Sequence, residues 1–183
     1  MAKTGILYRK NTVFIMIDFQ EAFRLVVPDF EKAAKNANIL AKGAQILGVP
    51  LLATEQYPKG LGKTAREIGI QPGVEMIEKK SFGCFGCKEF ERKLQALGAK
   101  SIVLFGLEAH VCVLETALEA LEKGLEVHVA ADAIASRKEE NKRIAIERMR
   151  QSGVFIDSTE TVLFQILKEA GSEEFKKISA LVK

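Results

Sequence analysis

Cys112 lies where the chain could use its thiol as a nucleophile. Residues 101–105, SIVLF, form an apolar run that predicts a buried strand, and residues 110–123 carry apolar side chains at helical spacing. The cysteine therefore falls where a strand ends and a helix begins, and the unpaired N–H groups of a helix N-terminus stabilise a thiolate. This position predicts a thiol with a lowered pKa. The alternative is a small buried side chain, because free cysteine packs well in protein cores.

Two other predicted strands end in charged residues that could act with this thiol. Residues 12–18 contain the apolar run VFIMI and end in Asp18, and residues 74–78 precede Lys79 and Lys80. The carboxyl ends of parallel strands meet at one edge of a sheet, where ligands bind. A carboxylate there could take the thiol proton, and an ammonium could hold the resulting charges. Taken singly, Asp18 could cap a turn and Lys79 could be solvated surface.

Several segments together resemble the isochorismatase-like cysteine hydrolases. Three of them match the landmarks of that family: residues 18–20 (DFQ), 78–82 (EKKSF) and 106–113 (GLEAHVCV). Residues 54–62 and 127–137 resemble the branch that contains the isochorismatase-domain proteins. The segments follow one another in order through most of the chain, which makes the combination more specific than any one triplet.

The resemblance implies a catalytic triad of Asp18, Lys79 and Cys112. It also implies a cis peptide bond just before the nucleophile, which would fall between Glu108 and Ala109. The implied activity is hydrolysis of a small amide or a similar C–N bond, with Asp18 as the base and a thioacyl intermediate on Cys112.

The choice between two adjacent lysines follows from the spacing. The related pattern is Glu-Lys, two further residues and Phe, which fits Glu78, Lys79 and Phe82. Adjacent residues of a strand face opposite sides of the sheet, so only one of the pair can reach the site. We therefore expect Lys79, and not Lys80, to belong to it.

The turn before the nucleophile and the pocket wall supply the other expected site residues. Backbone N–H groups of the turn would stabilise an oxyanion, and the turn comprises Glu108, Ala109 and Val111. His110 could orient the substrate or merely pack beside the turn. The expected substrate-binding side chains are those of Phe23, Gln56, Tyr57, Phe82 and His110.

Two other functions are compatible with the sequence. Cys84 and Cys87 form a CxxC pair, which could be a redox dithiol or half of a zinc site, although no second CxxC and no HxxxH accompanies it. A catalytically silent binding module of the same fold is the other alternative. No histidine motif follows Asp18 and no GxGxxG follows the first strand, so neither a metal nor an organic cofactor is expected.

Composition narrows the class of protein. The 183 residues are 48% hydrophobic and carry 27 basic and 24 acidic side chains, for a net charge of +3. This balance predicts one domain over residues 1–183, with no nucleic-acid partner, and no apolar run is long enough to span a membrane. Three cysteines without a signal peptide predict a cytoplasmic protein. We further expect a small-molecule substrate and a homo-oligomer, a dimer or higher.

The alternation of apolar runs with helical patterns predicts a three-layer α/β/α fold around a mostly parallel six-stranded sheet, Rossmann-like in class. The predicted strands are 12–18, 50–54, 74–78, 101–105, 125–130 and 154–156. The predicted helices are 29–47, 87–97, 110–123, 139–151 and 160–169, followed by a short final helix near 172–181.

Overall fold

A six-stranded sheet, parallel throughout, organises the computed structural model, which describes residues 4–70, 73–74 and 76–183. The strands are β1 (Thr12–Ile17), β2 (Leu51–Gln56), β3 (Met76–Lys79), β4 (Ser101–Leu107), β5 (Glu126–Ala135) and β6 (Phe155–Asp157). Their order across the sheet is β3-β2-β1-β4-β5-β6. This is the doubly wound order, in which the chain reverses direction beside β1 and opens a crevice at the carboxyl edge.

Strands buried on both faces explain why the sequence shows continuous apolar runs. Every residue of β1 and of β4 is buried. The α-helices are α1 (Phe30–Leu47), α2 (Pro58–Leu61), α3 (Lys88–Ala96), α4 (Leu114–Glu122), α5 (Glu139–Gln151), α6 (Thr159–Leu167) and α7 (Glu173–Val182). The predicted three-layer, Rossmann-like fold is confirmed.

Two hydrophobic clusters, one on each face of the sheet, form the core. Alternate residues of β1 contribute to them: Phe14 and Met16 to one cluster, and Ile15 and Ile17 to the other. The first cluster contains side chains of α1, α6 and α7, and the second contains side chains of α3, α4 and α5. Within the described ranges, no helix combines the length and the apolar character that a membrane span needs.

β5 extends further beyond its predicted end than the other strands do. We expected residues 125–130, whereas β5 runs from Glu126 to Ala135 and pairs with β4 in two registers, separated by an irregularity between Leu104 and Gly106. The second register pairs Leu107 with Ala135. The ends of β4 and β5 therefore lie side by side at the carboxyl edge.

Gly106 allows β4 to pass close to β1 at this edge. Its φ is +143°, and a Cβ atom there would lie 2.0 Å from the carbonyl oxygen of Ile17. Gly106→Ala should lower the free energy of unfolding by about 2–4 kcal/mol, because backbone rather than a flexible side chain must move. Urea denaturation measures this effect.

Gly48→Ala is the matched control for that substitution. Gly48 also has a positive φ, +62°, but no heavy atom lies within 4 Å of its added Cβ. Only the left-handed backbone is penalised, so the expected loss is about 1 kcal/mol. Equal losses for the two variants would show that the contact with Ile17 is unimportant.

Candidate active site

Asp18 follows the last residue of β1 and is completely buried. Its φ is +52°, a left-handed conformation that aspartate tolerates better than most residues do. The carboxylate oxygen Oδ1 accepts a hydrogen bond from Thr54 Oγ1 at 2.7 Å, and Oδ2 accepts one from Lys79 Nζ at 2.7 Å. The carboxylate is therefore held by a hydroxyl and an ammonium group.

Lys79 ends β3 and directs its ammonium group into the same buried site. Besides Asp18, Nζ contacts Gln56 Oε1 at 2.7 Å and the carbonyl oxygens of Ser81 and Phe82 at 3.2 and 3.0 Å. Burial alone would lower the pKa of Lys79, but the Asp18 carboxylate, through its charge and its hydrogen bond, raises it above its ordinary value. Lys79 is therefore an ammonium at neutral pH, whereas Lys80 is exposed.

Cys112 lies in a π-helical turn, Ala109–Val113, that precedes α4. Burial raises the pKa of its thiol to about 12, the Asp18 carboxylate raises it as well, and Lys79 acts in the opposite direction. The prediction of a lowered pKa is wrong, because a helix N-terminus does not offset burial next to a carboxylate. The resting thiol is therefore protonated, and the Asp18 carboxylate is a neighbouring group that can accept its proton.

The turn before Cys112 differs from the expectation in two respects. The cis peptide bond joins Leu107 to Glu108 and not Glu108 to Ala109, since β4 continues to Leu107, beyond its predicted end. The N–H group of Val111 donates to the Glu108 carbonyl oxygen at 3.1 Å. That group is thus engaged within the turn and is not free to hold an oxyanion.

A cavity of about 420 Å³ opens above Cys112. Three of the expected substrate-binding side chains line it, those of Phe23, Gln56 and Phe82. The lining also includes residues that the sequence analysis did not propose for the pocket wall, namely Ala22, Val26, Leu61 and Arg137. Cys112 therefore lies at the bottom of a small and largely apolar cavity.

Gln56 also contacts the end of β3, outside the cavity. Its Oε1 accepts from Lys79 Nζ, and its Nε2 donates to the carbonyl oxygen of Lys80 at 2.7 Å. Both ends of the amide are therefore used to fix the end of β3. Gln56 therefore positions Lys79. The sequence analysis had expected only a contact with substrate.

Two expected substrate-binding residues lie apart from this cavity. Tyr57 lines a second cavity, of about 430 Å³, beside β3. His110 is half-buried, with Nδ1 3.0 Å from Ser136 Oγ and Nε2 3.3 Å from Asn141 Nδ2. Its ring contacts residues that follow β5 and is not part of the lining around Cys112.

Arg137 is a site residue that the sequence analysis missed. Its backbone N–H and its Nε both donate to Glu108 Oε1 at 3.0 Å. The sequence could have indicated it, because Arg137 lies two residues after Ala135, which pairs with the end of β4. A charged residue at the carboxyl edge of a parallel sheet is a candidate for ligand binding.

The CxxC pair does not resemble a metal centre. Cys84 is buried, its N–H donates to Thr116 Oγ1 at 3.0 Å, and burial raises the pKa of its thiol to about 12. Cys87 Sγ approaches the carbonyl oxygen of Glu78 at 3.8 Å. All three cysteines are free thiols. Among the residues described, no group of three or more His, Cys, Asp and Glu side chains is arranged to hold a metal ion.

The doubly wound sheet, with a buried thiol, carboxylate and ammonium at its carboxyl edge, defines an α/β protein with an enzyme-like crevice. The family model described as "Isochorismatase domain" matches residues 12–161, and the chain belongs to that family. Proteins of this family are generally hydrolases.

Relatives and solved structures agree with this assignment. Isochorismatase domain-containing protein 2 from Danio rerio is 39% identical over 183 residues, which cover 100% of this chain and 92% of the relative. A structure described as MAR1 ribonuclease from Caenorhabditis elegans has a TM-score of 0.91 at 31% identity, covering 96% of this chain and 91% of that one. The YcaC gene product of Escherichia coli, described as an octameric hydrolase of unknown specificity, has a TM-score of 0.87 at 23% identity. The alignment with YcaC covers 100% of this chain and 89% of that chain, and this likeness shows the fold alone.

Proposed function

We propose that this protein is a cysteine hydrolase that cleaves a small amide or a similar C–N bond through a thioacyl intermediate on Cys112. The observation that carries the proposal is the buried contact between Lys79 Nζ and Asp18 Oδ2, at 2.7 Å, next to the Cys112 thiol. A fully buried ion pair is costly to desolvate, and a site that places a nucleophile beside one is typical of catalysis.

The first step forms the thioester. Cys112 Sγ bonds to the substrate carbonyl carbon while its proton passes to Asp18, and the carbonyl oxygen becomes an oxyanion. Backbone N–H groups of the turn, other than those of Val111 and Val113, which donate to the Glu108 carbonyl oxygen, stabilise this oxyanion. The C–N bond then breaks, and the leaving amine takes the proton from Asp18. Lys79 offsets the negative charge as it moves between the carboxylate and the sulfur.

The second step releases the acid. Asp18 takes a proton from a water molecule, which adds to the thioester carbonyl. The C–S bond breaks, the carboxylic acid leaves, and the proton on Asp18 returns to Cys112 Sγ. The triad is restored without a redox change and without a metal ion in either step.

A panel of small primary amides, assayed for ammonia release by the wild-type protein and by Cys112→Ser, tests the proposal. We expect release from at least one amide by the wild type and none above background by the variant. Ammonia release that survives in Cys112→Ser would contradict it. A wild-type protein that releases none, although Cys112 can be alkylated, would favour the silent binding module.

RNA cleavage is the second candidate, because three similar solved structures are described as MAR1 ribonucleases, two of them as putative ones. The cavity favours the amide reaction: it is small, its walls are largely apolar, and the chain's 27 basic and 24 acidic residues are nearly balanced. An RNA-binding surface needs a concentration of positive charge. A labelled single-stranded RNA oligonucleotide assayed in parallel should remain intact.

We also propose that the protein assembles as a homo-oligomer. Large apolar side chains are exposed at this cavity: Phe82 and Val26 line it and are exposed by 61% and 51%, and Leu25, the residue before Val26, is exposed by 90%. Exposed apolar patches often mark contact surfaces. Light scattering at micromolar concentration should give at least a dimer, and Leu25→Glu should shift the mass toward the monomer. A monomeric wild type would contradict this prediction.

We also propose that the protein is cytoplasmic and that residues 1–183 form a single domain. Three free thiols suit a reducing compartment. The two hydrophobic clusters share one sheet, as expected for one folding unit. Urea denaturation followed by far-ultraviolet circular dichroism should therefore give one cooperative transition.

A further inference from the structure

We propose that Thr116 is a positioning residue that fixes Cys112 relative to Lys79. Its hydroxyl group joins the backbone of Cys112 to residues 81–85, the segment that supplies two carbonyl oxygens to the Lys79 ammonium group. The effect on turnover rests on the proposed function, whereas the connection itself rests on the hydrogen bonds of Thr116.

The hydroxyl group of Thr116 bridges two parts of the chain that are distant in sequence. Thr116 lies in α4, one turn after Cys112, and is completely buried. Its Oγ1 donates to the carbonyl oxygen of Cys112 at 2.7 Å and accepts from the backbone N–H of Cys84 at 3.0 Å. A hydroxyl that donates and accepts at once has its proton direction fixed. One oxygen atom therefore sets the distance between the Cys112 backbone and the 81–85 segment.

The 81–85 segment holds Lys79 and forms part of the cavity wall. The carbonyl oxygens of Ser81 and Phe82 accept from Lys79 Nζ at 3.2 and 3.0 Å. Phe82 also lines the cavity above Cys112. Because Phe82 is only two residues before Cys84, a shift of the Cys84 backbone would move an oxygen that holds the ammonium group. Thr116 thus acts on Lys79 through this segment.

Glu119 gives α4 a second contact with the same segment. It lies three residues after Thr116, on the same face of the helix, and its Oε2 accepts from the backbone N–H of Phe85 at 3.2 Å. Gly83 allows this approach, because a Cβ atom there would overlap the Glu119 carboxylate. Two side chains of α4 therefore hold the consecutive amides of Cys84 and Phe85, which fixes the orientation of the segment as well as its distance.

A purely local role accounts for only one of the two hydrogen bonds of Thr116. Threonine inside a helix often donates to the carbonyl oxygen four residues earlier, as Thr116 does to Cys112. The bond from Cys84 spans 32 residues of sequence, and Cys84 is completely buried. A buried N–H group without a partner is costly, so loss of the hydroxyl should displace the Cys84 backbone toward another acceptor.

Thr116→Val tests this role, because valine keeps the shape of the side chain and removes the hydroxyl. With the best amide of the panel, we expect kcat to fall about ten- to hundredfold, as small displacements of reacting groups cause. KM should change less than kcat, because Thr116 is not among the residues that line the cavity, all of which the structure describes. Thr116→Ser keeps the hydroxyl and should stay within about threefold of the wild-type kcat. Thr116→Ala replaces the valine variant if that variant does not fold.

Thr12→Val is the matched control. Thr12 is also buried, and its Oγ1 likewise has two partners, the carbonyl oxygen of Tyr8 at 2.9 Å and Ser101 Oγ at 2.8 Å. It is the first residue of β1 and therefore lies at the edge of the sheet opposite to the site. Its kcat should remain within about twofold of the wild-type value, although a hydroxyl of the same kind is lost.

Alkylation of Cys112 by iodoacetamide gives a measurement that needs no turnover. Burial and the Asp18 carboxylate raise the pKa of the Cys112 thiol, and Lys79 lowers it. If Thr116→Val loosens the hold on Lys79, the pKa of Cys112 rises further. A rise of about half a unit would slow alkylation about threefold at any pH below the midpoint. Thr116→Ser and Thr12→Val should react at the wild-type rate.

A background without Lys79 shows whether the effect passes through the ammonium group. In the variant that combines Asp18→Asn with Lys79→Met, adding Thr116→Val should leave the alkylation rate of Cys112 unchanged, since no ammonium group is left to displace. A general loosening of the fold would instead change the rate in both backgrounds.

Four results would overturn the inference. They are wild-type kcat and alkylation in Thr116→Val, an equal loss in Thr116→Ser, an equal loss in Thr12→Val, and an effect of the same size in the background without Lys79. Ammonia release by the wild type tests the proposed function separately. Its absence would contradict the cysteine hydrolase alone, because the alkylation rates still decide the role of Thr116. Hydrolysis that Thr116→Val leaves intact would contradict the positioning role alone.

Discussion

Asp18→Asn is expected to reduce amide hydrolysis about a thousandfold, within the range for loss of a general base, while making the Cys112 thiol more acidic. In the resting protein, burial and the Asp18 carboxylate raise the pKa of Cys112 to about 12. Asparagine removes the negative charge but keeps the shape, and it tolerates the left-handed backbone at this position. The thiol of the variant then experiences Lys79 without the opposing carboxylate, so its pKa falls.

Alkylation of Cys112 by iodoacetamide, followed by peptide mass spectrometry over a range of pH, measures this effect. The wild-type midpoint should lie above that of a free thiol, about 8.5, and the Asp18→Asn midpoint should lie below that of the wild type. Asp29→Asn, an exposed aspartate at the start of α1, is the control and should match the wild type. An Asp18→Asn midpoint at or above the wild-type value would show that Asp18 does not face the thiol.

Lys79→Met should abolish measurable hydrolysis and destabilise the protein by about 3–5 kcal/mol, because the buried Asp18 carboxylate loses its counter-ion. Both side chains of this pair are completely buried. Lys80→Met is the matched control: Lys80 is exposed, so its free energy of unfolding should change by no more than about 0.5 kcal/mol. Urea denaturation and ammonia release measure the two effects.

A double variant separates loss of the ion pair from general damage to the fold. Asp18→Asn combined with Lys79→Met leaves neither charge unpaired, so it should be more stable than Lys79→Met alone. Hydrolysis should remain absent in the double variant. If Lys80→Met were the damaging change instead, the direction of the two lysines at the end of β3 would be reversed.

Much of the fold can be predicted from the sequence because buried parallel strands appear in it as continuous apolar runs. The runs in β1 and β4 are buried at every residue, and their ends locate Asp18 and the turn of Cys112. The carboxyl edge of a parallel sheet then brings distant strand ends together. The alternation of side chains along β3 similarly distinguishes Lys79 from Lys80.

The remaining features depend on contacts that no single segment contains. The second half of β5, residues 131–135, is mostly alanine with one aspartate and one isoleucine, and it is a strand because Leu107 pairs with Ala135. The pKa of Cys112 depends on burial and on Asp18, which is distant in sequence. Arg137 becomes a site residue only through Glu108, across the β4–β5 edge.

The geometry of the turn explains the other differences between the sequence predictions and the structure. A π-helical turn, and not the regular helix expected from residue 110, carries Ala109–Val113. The ring of His110 contacts Ser136 and Asn141, outside the cavity lining. The spacing of apolar side chains predicts a helix but does not distinguish a short π-helical turn from a regular α-helix.

Direct detection of the thioacyl intermediate tests the central claim. The wild-type protein is mixed with the best amide of the panel, quenched in acid during turnover, and digested for mass spectrometry of the peptide that contains Cys112, with hydroxylamine added in a parallel sample. The account predicts an adduct on Cys112 with the mass of the substrate less ammonia, and a hydroxamate product when hydroxylamine competes with water. Turnover with an unmodified Cys112 and no hydroxamate would contradict it.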